Sequence, residues 1–187
     1  FVRRRQRQMC IRDSAMVCLA VPPKTLTWEQ AQEVVKPLPE VMLFRTEKEM
    51  LDTFLEMIDD VDVISGWNSE GYDIPYIVNR ITKTMGKAET RRLCLMKKLP
   101  KARSYEKYGN EVNTYDLIGR IHLDYLELYR KYNYEERHSY RLDYIGEMEV
   151  GENKVPYEGS LDRLYNHDFL KFCEYNIQDV MLLDKMD

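Results

Sequence analysis

The amino-acid sequence predicts an α/β fold in which a mixed sheet is flanked by helices. Short apolar runs typical of buried strands alternate with stretches that repeat apolar residues at the spacing of one helix face. Two helical stretches begin with the signature of a capping box, because Thr27 and Thr46 are each followed three residues later by Gln or Glu. Strands that alternate with helices favour a sheet whose faces are covered.

The elements are expected in the following order, without an internal repeat. Strands are predicted at residues 15–21, 41–44, 61–65 and 117–123, and a hairpin turn at residues 108–111. Helices are predicted at residues 27–36, 46–58, 74–85, 87–95, 125–132, 142–148 and 168–186.

The composition narrows the class of protein. The 187 residues, of which 44% are hydrophobic, suffice for one domain with a real core. A net charge of -4 means that any DNA binding must come from a local basic patch. We see no run long enough to cross a membrane and no secretory signal. Four widely spaced cysteines indicate a reducing compartment, so we expect a cytoplasmic protein with no membrane partner.

The first residues differ from the rest of the chain. Residues 1–14 are rich in Arg and Gln and have no apolar period, and residues 5–14 look like the translation of a sequencing-library adapter. We therefore predict a non-native tail over residues 1–14 that packs against nothing, and a single domain over residues 15–187. The alternative is a genuine basic arm that binds nucleic acid.

The stretch of residues 66–76 is the centre of the predicted fold. It leaves a buried strand and enters a helix, and side chains at such junctions gather at the carboxyl end of a sheet. Asp73 lies where the helix begins, and Pro75 is tolerated in a first turn. Asp73 is therefore a candidate functional carboxylate, and the alternative is that it only caps the helix.

A basic segment follows. Lys101, Arg103 and Lys107 alternate with Tyr105 and Tyr108, a combination that suits single-stranded nucleic acid because bases stack on rings and phosphates pair with cations. A solvated hairpin explains the same residues equally well.

The last helix carries a second candidate carboxylate. Tyr175 and Asp179 are four residues apart and share a helix face, where a phenol and an acid together can hold a metal ion and orient a water. Asp73 and Asp179 supply oxygen ligands of the kind that Mg²⁺ prefers. The alternative is a buried Tyr beside a solvated Asp.

These segments together resemble the exonuclease domain of family B DNA polymerases, most of all the polymerases of T-even-like bacteriophages. Asn68, Tyr72 and Asp73 match the second exonuclease motif, which is Asn, three residues, an aromatic residue and Asp. Tyr175 and Asp179 match the third motif, Tyr-X-X-X-Asp. Residues 119–125 resemble the strand between the two motifs, and the resemblance covers residues 15–187.

The resemblance implies a ribonuclease-H-like exonuclease fold with an inserted β-hairpin within residues 101–116. It also implies a proofreading 3′→5′ exonuclease that acts on the primer 3′ end and on single-stranded DNA, joined to the remainder of a polymerase chain in a bacterial or phage-infected cell. Two Mg²⁺ or Mn²⁺ ions assist the hydrolysis in that family. The site residues implied are Asp73 and Asp179 as metal ligands, Tyr175 in catalysis, and Asn68, Tyr72, Lys101, Arg103, Lys107 and Tyr108 on the DNA.

One part of the family pattern is missing. The first motif, Asp-X-Glu, does not occur in residues 15–21, so we expect it upstream of this sequence and expect the 187-residue chain to be inactive alone. Two alternatives stay open. They are a ribonuclease-H-like module that binds single-stranded DNA without cleaving it, and a free-standing exonuclease.

Overall fold

A computed structural model describes residues 2–3, 17–107 and 109–186. The strands are β1 Val2–Arg3, β2 Cys18–Ala20, β3 Val41–Leu43, β4 Val63–Gly66, β5 Lys101–Lys107, β6 Asn110–Asp116 and β7 Ile121–Asp124. The helices are α1 Trp28–Val35, α2 Glu47–Met57, α3 Asp73–Thr84, α4 Tyr125–Tyr132, α5 Leu142–Val150, α6 Leu161–His167 and α7 Phe169–Met186, with a 3₁₀ helix at Lys87–Leu93. The predicted mixture of helices and strands is therefore confirmed.

The chain divides into two compact units. The first contains Leu51–Arg137 and takes in strand β1, and the second contains the described residues of Asp13–Met50 and His138–Asp187. The predicted domain limits at residues 14 and 15 stay a prediction, because most of residues 1–16 lie outside the described part of the chain.

The first unit is built on a three-stranded sheet in the order β1-β4-β7. Strands β4 and β7 are parallel, with Gly66 opposite Asp124, so both strands end at the same edge. Helix α3 packs its apolar face into the core of this unit. The hydrophobic side chains that are buried among the described residues of the unit are Leu51, Leu55, Ile58, Val61, Ile64, Ile74, Val78, Ile81, Leu93, Cys94, Leu117 and Leu126.

Strands β5 and β6 form a regular antiparallel hairpin, from the pair Lys101–Asp116 to the pair Lys107–Asn110. Gly109 has φ +76° at the turn, a conformation that glycine adopts without a steric penalty. Whether this hairpin is an insertion into a ribonuclease-H-like fold stays a prediction.

The second unit packs helices on a short parallel ribbon. Strands β2 and β3 pair with Cys18 opposite Val41. Ala20, Val35, Phe169 and Cys173 form its buried cluster, which joins the ribbon to α1 and α7. Tyr165 and Phe172 extend the cluster with ring contacts. The centroid of the Tyr165 ring lies 5.9 Å from that of Phe169 and 5.2 Å from that of Phe172.

The helix starts follow the predicted capping chemistry in one case and depart from it in another. At α1, Thr27 Oγ1 accepts from the Gln30 amide at 3.3 Å and the Gln30 side chain accepts from the Thr27 amide at 2.9 Å, which completes the capping box. At α2, Thr46 Oγ1 accepts from the Glu49 amide at 3.2 Å, but Glu49 accepts from Arg45 instead of Thr46.

Several local predictions were wrong. Residues 87–93 form a 3₁₀ helix instead of an α-helix. Strand β7 begins at Ile121 instead of residue 117, because residues 117–120 close a turn through the Arg120 amide and the Leu117 carbonyl. Helix α6 was not predicted, although Ser160 caps it by accepting from the Arg163 amide at 3.2 Å.

The prediction that residues 1–14 pack against nothing was wrong for two residues. Val2 and Arg3 pair antiparallel with Ile64 and Val63. The physical reason is that an edge strand presents unpaired amide and carbonyl groups, which any extended segment can satisfy whatever its side chains are. The rest of the predicted tail lies outside the described residues.

Gly66 is expected to be intolerant of a side chain. A Cβ at residue 66 would lie 2.8 Å from Ser69 Cβ, which is closer than real Cβ atoms approach. We expect Gly66→Ala to lower the free energy of unfolding by about 1–3 kcal/mol through overpacking. Urea unfolding followed by circular dichroism measures this change.

The matched control is Gly71→Ala, five residues along the same loop. Its Cβ would meet only Asn68 Oδ1, at an ordinary 3.5 Å. We expect a change within about 0.5 kcal/mol. Equal effects of the two substitutions would show that the close approach of residues 66 and 69 does not limit stability.

Candidate active site

The loop between β4 and α3 turns sharply after the strand ends. Asn68 adopts φ +56°, a left-handed conformation that Asn tolerates better than most residues. Ser69 is buried, and its carbonyl accepts from the Ile74 amide at 2.9 Å, which joins the loop to the first turn of the helix. The predicted strand-to-helix junction is therefore present.

Asp124 holds this loop in place. It ends strand β7 and is buried, with 7% of its surface exposed. Its Oδ1 accepts from the amides of Asn68 and Leu126, both at 3.0 Å, and its Oδ2 accepts from the Glu70 amide at 3.1 Å. One carboxylate thus caps helix α4 and also satisfies two amides of a loop that precedes it by more than fifty residues.

A histidine supports the same loop from β7. Ser69 Oγ donates to the Gly66 carbonyl at 3.1 Å and lies 2.8 Å from His122 Nε2. Because the hydroxyl has one proton, Nε2 must be the donor to Ser69. Burial lowers the pKa of His122 despite the nearby Asp124 and Glu70 carboxylates, so the ring is a neutral Nε2–H tautomer at pH 7.

Asp73 begins helix α3 at the edge where β4 and β7 end. The N-cap position belongs to Tyr72, which makes no side-chain capping bond, so a simple cap does not explain this acid. The Asp73 carboxyl group remains accessible to solvent. Partial burial, with a smaller contribution from the Asp124 carboxylate, raises its pKa.

Tyr72 and Tyr76 lie beside Asp73 on the outer side of the same helix. Their side chains are 67% and 56% exposed. The two rings are nearly parallel, with an angle of 4° between their planes and 6.2 Å between their centroids. The first turn of α3 therefore presents two aromatic faces to solvent next to a carboxylate.

In the second unit, Lys154 joins the two predicted residues of α7. Its Nζ donates to Asp179 Oδ2 at 2.9 Å and to the Tyr175 hydroxyl at 3.1 Å. Burial alone would lower the pKa of Lys154, but the bonds to Asp179 and Tyr175 outweigh it and the pKa is raised. Burial raises the pKa of Asp179 more than the Lys154 ammonium lowers it. The pKa of Tyr175 is also raised, chiefly by burial.

The second oxygen of Asp179 has different surroundings. Oδ1 is buried and has no hydrogen-bond partner among the described residues. A buried carboxylate oxygen without a donor is costly, so this oxygen has unused acceptor capacity. The predicted sharing of a helix face by Tyr175 and Asp179 is present, since both side chains meet Lys154.

The sequence of this chain matches the profile of the family described as "DNA polymerase family B, exonuclease domain" over residues 16–145. The chain belongs to this family. The match includes Asp73 and Asp124 and ends before Tyr175 and Asp179, so the family B exonuclease assignment does not by itself test the third motif.

Known polymerases are similar to this chain. The DNA-directed DNA polymerase of Escherichia phage RB69 is 35% identical over 149 residues, which are 78% of this chain and 16% of that protein. The DNA-directed DNA polymerase of Enterobacteria phage T4 is 29% identical over 148 residues, again 78% of this chain and 16% of that protein. The DNA polymerase of Bombyx mori nuclear polyhedrosis virus is 32% identical over 152 residues, 78% of this chain and 15% of that protein. The chain thus spans about one sixth of the relatives that it matches, and the predicted resemblance is confirmed.

The predicted site residues of this family B exonuclease domain fall into separate groups. Asn68, Tyr72 and Asp73 lie together in the first unit, while Tyr175 and Asp179 lie in the second. The meeting of Asp73 with Asp179 stays a prediction. Within the residues that the structure describes, no group of three or more His, Cys, Asp or Glu side chains is placed to hold a metal ion.

The four residues of the hairpin that were predicted to contact DNA differ in exposure and in bonding. Lys101 and Arg103 are exposed on β5, but Arg103 is already bonded to Asp116 and Glu70. Tyr108 and the side chain of Lys107 lie outside the described residues. These four DNA contacts stay predictions.

Sequence reasoning missed two residues that organise the site. Asp124 precedes the predicted helix at residues 125–132 but was not expected to hold the 66–73 loop, and Lys154 lies outside every predicted element. The position of Asp124 directly after the predicted strand at residues 117–123 was a possible sequence signal for this residue. For Lys154 no local pattern existed.

None of the helices in the described ranges is long and apolar enough to cross a membrane.

Asp124 is expected to contribute strongly to stability. Asp124→Ala leaves the amides of Asn68, Glu70 and Leu126 without their acceptor. We expect a loss of at least about 2 kcal/mol in the free energy of unfolding, since each unsatisfied buried group costs about 1–3 kcal/mol. Urea unfolding measures this loss.

Asp162→Ala is the matched control, because Asp162 is also an acid next to a helix start but is exposed. We expect a change within about 0.5 kcal/mol for this surface substitution. An Asp124→Ala variant as stable as the control would mean that water replaces the carboxylate at no cost.

Proposed function

We propose that this chain carries out 3′→5′ exonucleolytic proofreading on DNA, removing mispaired nucleotides from a primer 3′ end as part of a polymerase. Membership in the family B exonuclease domain supports the reaction class. The observation that carries the assignment of residues is the environment of Asp179, which has one oxygen bonded to Lys154 and a second oxygen that is buried without a donor.

The carboxylates are proposed as ligands for Mg²⁺ or Mn²⁺. Asp73 is accessible to solvent, and Asp179 has an oxygen with unfilled acceptor capacity, so each can give an oxygen to a hard cation. Such ions would supply a water of lowered pKa and offset charge at the phosphate. Burial raises the pKa values of Asp73 and Asp179, and a bound cation would act in the opposite direction by favouring the ionised forms that bind it.

The remaining residues of the second unit orient the reacting groups. Lys154 fixes the Tyr175 hydroxyl by donating to its oxygen and fixes Asp179 by donating to Oδ2. Tyr157 packs edge-on against the Tyr175 ring, with centroids 5.3 Å apart, which restricts its rotation. Tyr175 is proposed to position the attacking water or the scissile phosphate. A ribonuclease-H-like fold with an inserted hairpin is part of the same proposal.

The first unit is proposed to bind single-stranded DNA. The exposed rings of Tyr72 and Tyr76 offer faces on which bases can stack, next to Asp73. Asn68 is proposed to lie near the same primer end, and Lys101 to contact a phosphate. The partners are then the primer 3′ end, single-stranded DNA and the remainder of a polymerase chain in the cytoplasm of a bacterial or phage-infected cell.

The carboxylates are expected to be essential for cleavage. In the polymerase chain that contains these residues, we expect Asp73→Ala and Asp179→Ala each to reduce digestion of a labelled single-stranded oligonucleotide with Mg²⁺ or Mn²⁺ by more than about a hundredfold. Loss of a residue that merely supports a metal ligand already costs about 10–100-fold. Nucleotide addition should be unchanged. Tyr175→Phe should be milder because it removes one hydroxyl group and no charge.

Asp184→Ala is the matched control, since it removes an exposed acid from the same helix α7. Its digestion rate should equal that of the unmodified protein. Full activity of Asp179→Ala would refute the role of the third motif. DNA binding without any cleavage in the polymerase chain would favour the non-cleaving binding module instead.

The aromatic pair is expected to contribute to DNA affinity. We expect Tyr72→Ala to weaken binding of a single-stranded oligonucleotide by about fivefold to a hundredfold, since stacking on an aromatic side chain contributes about 1–3 kcal/mol per base. Fluorescence anisotropy in EDTA measures affinity without cleavage. Tyr134→Ala is the control because Tyr134 is 97% exposed, and equal affinities of the two variants would contradict the stacking role.

A further inference from the structure

Glu70 connects the loop before Asp73 to the β5–β6 hairpin. Its amide donates to Asp124 Oδ2 at 3.1 Å, so its backbone belongs to the loop that Asp124 holds. Its carboxylate points the other way and forms an ion pair with Arg103 of β5. Only 19% of the Glu70 side chain is exposed, so this pair is less screened by water than most surface ion pairs.

Two further side chains complete what we call the Glu70 cluster, namely Glu70, Arg103, Tyr105 and Asp116. The Arg103 guanidinium uses its Nε to donate to Asp116 Oδ1 on β6 at 2.9 Å. The same guanidinium lies over the Tyr105 ring, 4.9 Å from its centroid. The cluster therefore joins both strands of the hairpin to the loop.

Tyr105 also lies close to Glu70. Residues 103 and 105 point to the same face of β5, because side chains alternate along a strand. The Glu70 carboxylate lies close enough to the Tyr105 phenol for its charge to act on the pKa of the phenol. Burial, with the charge of Glu70, raises the pKa of Tyr105 to about 12, so the phenol keeps its proton and stays a donor over the neutral range.

Arg103 uses its hydrogen-bond donors within the Glu70 cluster. Its planar fork of donors is shared between two carboxylates, which leaves less of its charge for a DNA phosphate. Glu70 lies three residues before Asp73, and the loop between them has its amides held at Asp124. A shift of the hairpin base is therefore transmitted to the segment that leads into the candidate catalytic acid.

We propose that the Glu70 cluster is a positioning device that fixes the base of the β5–β6 hairpin to the loop preceding Asp73. Glu70, Arg103 and Tyr105 act through this loop and not by touching DNA. The structural part of this inference stands on the contacts alone, while its catalytic consequence rests on the exonuclease function proposed above.

The coupling is tested by hydrogen exchange on the 187-residue chain. Glu70→Gln and Arg103→Ala should each speed exchange at the amides of residues 68–70 and at the base of the hairpin, by about threefold to fivefold. The double variant should exchange no faster than either single variant, because both remove the same interaction. Arg103→Lys keeps the charge but loses the planar fork of donors. Its exchange rates should lie between those of the unmodified chain and those of Arg103→Ala.

Glu106→Gln is the matched control, since Glu106 is an exposed acid on the opposite face of β5. It should leave exchange at residues 68–70 unchanged. Two results would overturn the proposal. One is that the Glu70 and Arg103 variants leave the loop amides unchanged, and the other is that their effects add in the double variant.

The catalytic consequence is measured separately in the polymerase chain. Glu70→Gln should lower the turnover number for digestion of a single-stranded oligonucleotide by about tenfold or more, because small misplacements of a reacting group are costly, with little change in KM. Glu106→Gln should retain full activity. If the exchange results hold and no variant of the polymerase shows nuclease activity, the coupling stands and the exonuclease function fails. If nuclease activity is present and the exchange results are negative, the coupling fails and the function stands.

Discussion

The first unit depends on a single carboxylate that accepts three backbone amides. Asp124 ends one of two parallel strands, and the loop that it binds begins at the end of the other. This loop has a left-handed residue and a buried serine, and its Trp67 ring lies 6.3 and 5.9 Å from the rings of Tyr125 and Tyr129 in helix α4. Without this acceptor the amides of Asn68 and Glu70 would lose their partner, and the bond from the Ile74 amide to the Ser69 carbonyl would remain to join the loop to helix α3.

Asp73, Asp124 and Asp179 have different chemical surroundings, and these differences suit the different roles proposed for them. Asp124 has both oxygens occupied by amides and serves the fold. Asp73 is accessible to solvent, which leaves its oxygens open to a cation, and partial burial raises its pKa. Asp179 lies between these cases, because Lys154 occupies one oxygen and the other is buried without a donor. Electrostatic surroundings thus separate a structural acid from candidate ligands of the same residue type.

The sequence predicted the elements well where the signal is local. The capping box at Thr27 and the apolar faces of α2, α3 and α7 depend on neighbours within one or two helical turns, and these features are present in the structure. Asp124 and Lys154 could not be assigned in this way, because their partners are 54–56 and 21–25 residues away. The 3₁₀ helix at Lys87–Leu93 was also missed, since its composition does not distinguish it from an α-helix.

The exposure of Tyr72 and Tyr76 has no explanation in the fold of the first unit. The buried face of α3 is supplied by Ile74, Val78 and Ile81. Tyr72 and Tyr76 are four residues apart on the opposite side, so they stack on each other and bury little surface in the core. Tyr72 and Tyr76 thus form an aromatic surface next to Asp73 that the core does not use. This surface is the reason for proposing that a nucleobase stacks on the two rings.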